Sequence, residues 1–166
     1  DGGSVRIQAG TTATISGDIE VTGRVGGTAI VTGTEVELQG AKINASGTEG
    51  GGQIRVGGGF QGNDPNVWNA QNTRVDADSR LLADALIAGD GGTIAMWADG
   101  GTEFAGQLSA RGGQMAGDGG AAEVSGQESL RFTGLANLSA PHGQTGTLLL
   151  DPSDIEIDST TAAAIV

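Results

Sequence analysis

Along this chain a glycine is followed, two and four positions later, by apolar residues, and the pattern returns six times. The glycines are Gly3, Gly27, Gly52, Gly92, Gly120 and Gly146. The pairs they introduce are Val5 and Ile7, Ala29 and Val31, Ile54 and Val56, Ile94 and Met96, Ala122 and Val124, and Leu148 and Leu150. The residues between and beside them, such as Ser4, Arg6, Gln53, Arg55, Thr93 and Glu123, are mostly polar or small. A period of two marks a half-buried strand, because successive side chains point to opposite faces. Ile54 and Val124 are therefore read as interior, Arg55 and Glu123 as facing solvent. On that reading an aspartate at Ile54 or Val124 costs several kcal/mol, whereas a charge swap at Arg55 or Glu123 costs roughly 0.5 kcal/mol or less.

Successive anchors lie 24, 25, 40, 28 and 26 residues apart, a near-regular period with one long member. Two further apolar clusters follow within the repeats. Ile15, Leu38, Phe104 and Phe132 each stand two residues before a glycine. A last pair is read at Ile19 and Val21, Ile43 and Ala45, Leu86 and Ala88, Leu108 and Ala110, and Leu138 and Ala140. Three short strands per repeat predict a three-sided coil. A repeat this short cannot bury its apolar side chains alone, but stacked coils line them into continuous columns. The fold predicted is all-β, a right-handed parallel β-helix of about five to six three-sided coils. It forms one segment over residues 1–158, with coil starts near 3, 27, 52, 92, 120 and 146, an insertion at 57–73, and a tail or the start of a next segment at 159–166. An antiparallel sandwich is the competing fold, since Gly-rich turns occur there too. Asp90-Gly91 and Asp118-Gly119 recur once per repeat at the same place, which suits a solenoid corner better than a hairpin.

Composition sharpens this picture. The 166 residues include 32 glycines without the every-third-residue period of collagen, and 37% are hydrophobic, enough for a core. Glycine is expected at the corners, for left-handed backbone or for close approach of the next coil. There is no cysteine, so disulfides and thiolate metal sites are excluded. The net charge of −12 repels phosphate backbones and anionic bilayers, so neither a nucleic-acid partner nor membrane insertion is expected. The opening Asp1-Gly2-Gly3 carries no initiator Met or signal peptide, so the sequence reads as a piece of a longer protein.

The run from Gly91 through Thr93-Ile94-Ala95-Met96-Trp97-Ala98-Asp99-Gly100 to Gly113, and the run from Gly117 to Gly126, resemble the filamentous haemagglutinin family of two-partner secreted bacterial proteins. The closing Gly146-Thr147-Leu148-Leu149-Leu150-Asp151-Pro152 is similar to the block that often ends such a β-helix. The specific resemblance covers about residues 89–158, the rest following by repeat pattern. It implies a secreted, cell-surface protein of a Gram-negative bacterium, exported unfolded through an outer-membrane two-partner transporter. It implies a rigid adhesin shaft serving attachment to matrix polysaccharide, host glycans or receptors, as in biofilm formation, without catalysis. The Asn-Pro-Asn type motifs of the family's secretion domain are missing, so this piece is expected downstream of that domain.

Five residues of the insertion, Phe60, Asn63, Asp64, Asn66 and Trp68, have the composition of a sugar-contacting surface. An aromatic ring stacks on the apolar face of a sugar while amides and carboxylates take its hydroxyls. The alternative is that Trp68 folds back over the coil flank. Asp90 and Asp118 occupy matching corners one coil apart and could share a Ca²⁺ ion through oxygen ligands, though plain turn formation explains them better, because Asp hydrogen-bonds its own backbone in turns. No other cofactor is indicated. A polysaccharide-binding or polysaccharide-cleaving β-helix enzyme is the alternative function. It would need paired carboxylates across a cleft, and the acidic group Asp76, Asp78 and Asp84 reads instead as solvated surface. His142, the only histidine, sits in a corner with no nucleophile motif nearby.

Overall fold

The computed structural model describes residues 1–156. The proposed tail at 159–166 and the segment end at 158 fall outside the described residues. The first coil contains β1 (Ser4–Gln8), β2 (Thr12–Ile15) and β3 (Asp18–Glu20). The second contains β4 (Thr28–Thr32), β5 (Glu35–Leu38) and β6 (Lys42–Asn44). The third contains β7 (Gln53–Val56), a 3₁₀ turn (Phe60–Gly62), β8 (Asn72–Val75) and β9 (Arg80–Leu82). The fourth contains β10 (Thr93–Ala98), β11 (Gly101–Phe104) and β12 (Gln107–Ser109). The fifth contains β13 (Ala121–Gly126), β14 (Ser129–Phe132) and β15 (Leu135–Asn137), and β16 (Thr147–Leu149) and β17 (Asp154–Glu156) begin the next.

Each strand pairs only with its counterparts one coil before and after, and every ladder is parallel. Three sheets result. Sheet A runs β1-β4-β7-β10-β13-β16, sheet B runs β2-β5-β8-β11-β14-β17, and sheet C runs β3-β6-β9-β12-β15. This is a parallel β-solenoid, and the antiparallel alternative is overturned by the parallel pairing of all three sheets.

The predicted interior columns of sheet A hold position by position. Val5, Ala29, Ile54, Ile94, Ala122 and Leu148 stand in register, and beside them Ile7, Val31, Val56, Met96 and Val124. The members in coils two to five are at most 2% exposed, whereas Val5, Ile7, Leu148 and Leu150 at the ends are partly buried. Sheet B places Ile15, Leu38, Val75, Phe104 and Phe132 in one column, the two phenyl rings stacked with centroids 5.3 Å apart. Two inward threonines interrupt its other column. The Thr73 hydroxyl donates to Trp97 O at 2.9 Å and the Thr102 hydroxyl to Ser125 O at 2.7 Å, so neither is buried unpaired.

Two assignments in sheet C are corrected. In the third coil the inward pair is Leu81 and Ala83, both fully buried, while Leu86 lies half exposed on the corner beyond. The corner before Leu81 is built without glycine. Asp76 caps it, accepting from the Gly40 amide and from the Ser79 hydroxyl at 2.6 Å, so the glycine marker that fixes the frame elsewhere is absent. In the fifth coil the inward pair is Ala136 and Leu138 rather than Leu138 and Ala140. A slip of two residues preserves the in-out phase, so periodicity alone could not detect it.

Glycine is required at the corner before sheet A chiefly by proximity. A Cβ on Gly92 would collide with the carbonyl of Gly52 in the coil before, and Gly52 and Gly120 stand in the same relation to their neighbours. Positive φ occurs instead at Gly40, Gly57, Gly62, Gly89 and Gly117.

Candidate functional site: a surface loop strapped over sheet A

Between β7 and β8 the chain leaves the solenoid and lies across the outer face of sheet A. Its exit is at Gly57, with φ +75, and Ala70 N closes the loop onto Gly57 O at 2.6 Å. Within it, amides of Gly62, Asn63 and Val67 donate to carbonyls of Gly59, Phe60 and Asp64. Successive coils hold the strap. Arg6 Nη1 donates to Asn66 O at 2.8 Å from the first coil, and Arg55 Nε stands 3.5 Å from Asp64 Oδ2 in the third. In the fourth coil, Asp99 Oδ1 accepts from both Asn69 Nδ2 and Trp97 Nε1 at 2.9 Å. In the fifth, Glu123 Oε2 accepts the Gln61 amide at 2.8 Å.

This strap changes what outward-facing means on sheet A. The outward residues Ile30, Ala95, Trp97 and Glu123 are all buried, Glu123 completely. Trp97 is the residue on which the loop rests: a Cβ on Gly62 would fall 2.6 Å from its ring and one on Gly58 2.8 Å from its Cβ, so the glycine-rich backbone lies flat against the indole. Val67 and Ala70 pack inward from the strap. The expectation that Glu123 faces solvent is therefore wrong. Its strand phase is as predicted, but a loop from two coils away removes the water. Burial pushes the Glu123 carboxyl above the ordinary carboxylate range and Asp151 adds to the rise, with the Gln61 amide and Ser125 hydroxyl opposing. Among the described residues none donates a hydrogen bond to Glu123 Oε1.

Of the five residues read from sequence as sugar-contacting, four face solvent. Trp68 is 61% exposed and Phe60 37%, with Asn63 and Asn66 beside them. Trp68 does not fold back, and Trp97, 8% exposed, covers the flank instead. Asp64 is half buried and committed to the fold, its Oδ1 accepting the Asn66 amide at 3.0 Å and its Oδ2 facing Arg55. Trp97 and Glu123 were missed as parts of this site. The available signal was an aromatic and an acid at outward phase in the next two strands of sheet A after the long insertion.

The other sequence candidates separate. Asp90 Oδ1 accepts the Asp118 amide at 2.8 Å, and Asp118 Oδ1 accepts the Gln144 amide at 2.8 Å, so these stacked carboxylates staple each corner to the next coil. Among the described residues no group of three His, Cys, Asp or Glu side chains is arranged to hold a metal ion. Asp76 and Asp78 lie at the surface, but Asp84 does not: it is 4% exposed and takes hydrogen bonds from Ser109 Oγ and from Arg111 N, Nε and Nη2. The reading of Asp84 as solvated is corrected, because its corner folds under that of the next coil. For Asp76, burial alone would raise the carboxyl, but the Ser79 hydroxyl and the Gly40, Ser79 and Asp78 amides outweigh it and hold the group below the usual range. His142 is exposed on a turn.

A groove of about 690 Å³ runs along the outer face of sheet B, walled by Glu35, Glu37, Arg74, Glu103, Arg131 and Asp154. Several of these groups are engaged with neighbours: Arg74 Nη2 stands 3.3 Å from Glu103 Oε1, Asn72 Nδ2 donates to Glu35 Oε1 at 3.1 Å, and Gln39 donates to Glu37. No helix among the described residues is long and apolar enough to cross a membrane. Neither the known family profiles nor the curated proteins contain a match to this chain.

Proposed function

We propose that this chain is a segment of the rigid shaft of a secreted bacterial surface protein of the filamentous haemagglutinin type, exported by a two-partner transporter. Its strap, residues 57–71, contacts extracellular polysaccharide or host-surface glycans, and the chain performs no catalysis of its own. The observation that carries the adhesive part is the exposure of Trp68 on a loop anchored at four coils. An apolar ring held in water by a hydrogen-bonded support, flanked by Asn63, Asn66 and Phe60, is arranged to stack on a sugar face with amides ready for its hydroxyls. The shaft part is supported by the unbroken parallel ladders, which give length by repetition. The absence of cysteine suits threading of an unfolded chain.

A glycan array and exopolysaccharide retention assay on the purified chain tests this, with Trp68→Ala alongside. Retention that falls in the variant while its melting temperature stays unchanged supports the reading; equal retention by both proteins refutes it. The groove on sheet B, with carboxylates along its walls, favours a second reading as a polysaccharide-cleaving domain, for which release of reducing ends from acidic polysaccharides is the test.

A further inference from the structure

Three buried side-chain atoms lack a hydrogen-bond partner among the described residues: Thr32 Oγ1, Asn69 Oδ1 and Glu123 Oε1. They are spread along the outer face of sheet A and the strap, Thr32 in the second coil and Glu123 in the fifth. Thr32 and Glu123 are outward positions of sheet A, and Asn69 is in the strap lying over that sheet. Among the described residues, the one non-glycine position with positive φ lies in the strap. Gln61 has φ 53 and ψ 24, a left-handed conformation costly for a residue with a Cβ, and its amide is the donor to Glu123. A buried acid with an unpaired oxygen and a strained backbone thus meet at the contact between Gln61 of the strap and Glu123 of the solenoid. A segment that bears such costs opens before the rest of the structure does.

We propose that residues 57–71 form a proton-governed cover, in which a proton on Glu123 closes the strap over Trp97 and loss of that proton loosens it. The functional consequence, that acidity fixes the presentation of Trp68, rests on the glycan-binding reading; the conformational device does not.

Among the described residues the surroundings of Glu123 supply no compensating cation. Within its own column Arg55 is two rungs away and turned to Asp64 of the strap. From the following coil Asp151 adds negative charge, and Asp99 in the fourth coil is occupied by Trp97 and Asn69. The strap itself offers only the Gln61 amide. An ionised Glu123 therefore meets burial and like charge with the Gln61 amide and the Ser125 hydroxyl in return, and opening the strap gives it water. Closure is coupled to proton uptake, because the carboxyl holds its proton more tightly closed than open. The closed state gains most below the ordinary carboxylate range, and that gain is lost as pH rises through the raised value.

The chain contains two tryptophans, Trp68 and Trp97. Trp68→Phe leaves Trp97, beneath the strap, as the only indole, and removes the proposed sugar contact from the experiment. Acrylamide quenching of Trp97 is measured across a pH series that runs from acid to neutral, on either side of the ordinary carboxylate range. The expected result is quenching that rises several-fold with pH while circular dichroism is unchanged, and that stays low throughout in the added variant Glu123→Gln. Quenching independent of pH, or the same pH dependence in Glu123→Gln, overturns the proposal. Gln61→Gly supplies an arm that leaves the carboxylate intact: relieving the left-handed strain should lower quenching at every pH and keep its pH dependence, and unchanged quenching counts against the strap as the moving part. Binding to the native chain that is lost in Trp68→Ala yet insensitive to pH overturns the coupling while leaving the glycan reading in place.

Discussion

Replacing Phe132 with alanine should be among the most damaging single changes available in this molecule. The ring is fully buried and stacks on Phe104 at 5.3 Å with 23° between planes. Its rung, β14, is held by parallel ladders to β11 on one side and β17 on the other. The rungs cannot collapse into the space without breaking those ladders. Loss of transfer free energy plus an unrelaxed cavity gives about 3–5 kcal/mol for a buried Phe→Ala change. Within this, the ring-ring contact contributes about 0.5–1.5 kcal/mol. For a chain of this size the cost corresponds to a fall of about 6–20 °C in melting temperature. Urea unfolding followed by circular dichroism measures it, and a cycle with Phe104→Ala isolates the coupling between rings. Phe132→Leu, which refills much of the space, should recover more than half of the loss. A cost below about 1.5 kcal/mol, or strictly additive single changes, would show that the two rings do not pack in one column, and the register of sheet B would be wrong.

Two further outcomes are expected. Gly92→Ala places a methyl group against the Gly52 carbonyl and should cost at least about 3 kcal/mol by thermal denaturation, whereas Gly17→Ala, with open space around it and ordinary φ, should be neutral or stabilising by about 0.4–1 kcal/mol. The Asp76 carboxyl is depressed in the folded chain, so its contribution is complete above the ordinary aspartate pKa and is lost as pH falls through the depressed value; Asp76→Asn should flatten the acid limb of a stability-pH curve, and an unaltered limb would contradict the capping role.

Most of the solenoid is legible from one signal, the phase of apolar residues after each corner glycine. The twelve predicted positions of sheet A face inward because a strand buried on one side must alternate, and no tertiary detail can alter that parity. Reading failed where the marker was chemically replaced. The corner before Leu81 uses Asp76 and Ser79 in place of glycine, so the next inward pair was sought five residues too late. It also failed where burial came from a distant segment. Periodicity describes a strand and its own core, and nothing in β13 records that residues 57–71 will lie over Glu123. The sequence leaves Trp68 open between an exposed ring and one folded back over the flank, and it marks Trp97 only by an outward phase in the next strand of sheet A after the insertion.

The pairing rule of the three sheets has a consequence for how such a molecule grows. Every strand meets a partner between 23 and 40 residues away, from Thr12 with Glu35 to Val56 with Met96, however many coils stand beyond. Because ring-closure entropy rises only with the logarithm of loop length, closing the long third coil costs about 0.5 kcal/mol more than closing the shortest. Lengthening the rod therefore leaves the difficulty of each winding step unchanged, and a corner can admit a dozen extra residues at almost no entropic penalty. The same architecture that fixes its interior so strictly leaves its margins open to insertion, so new surface loops can be acquired without renegotiating the core.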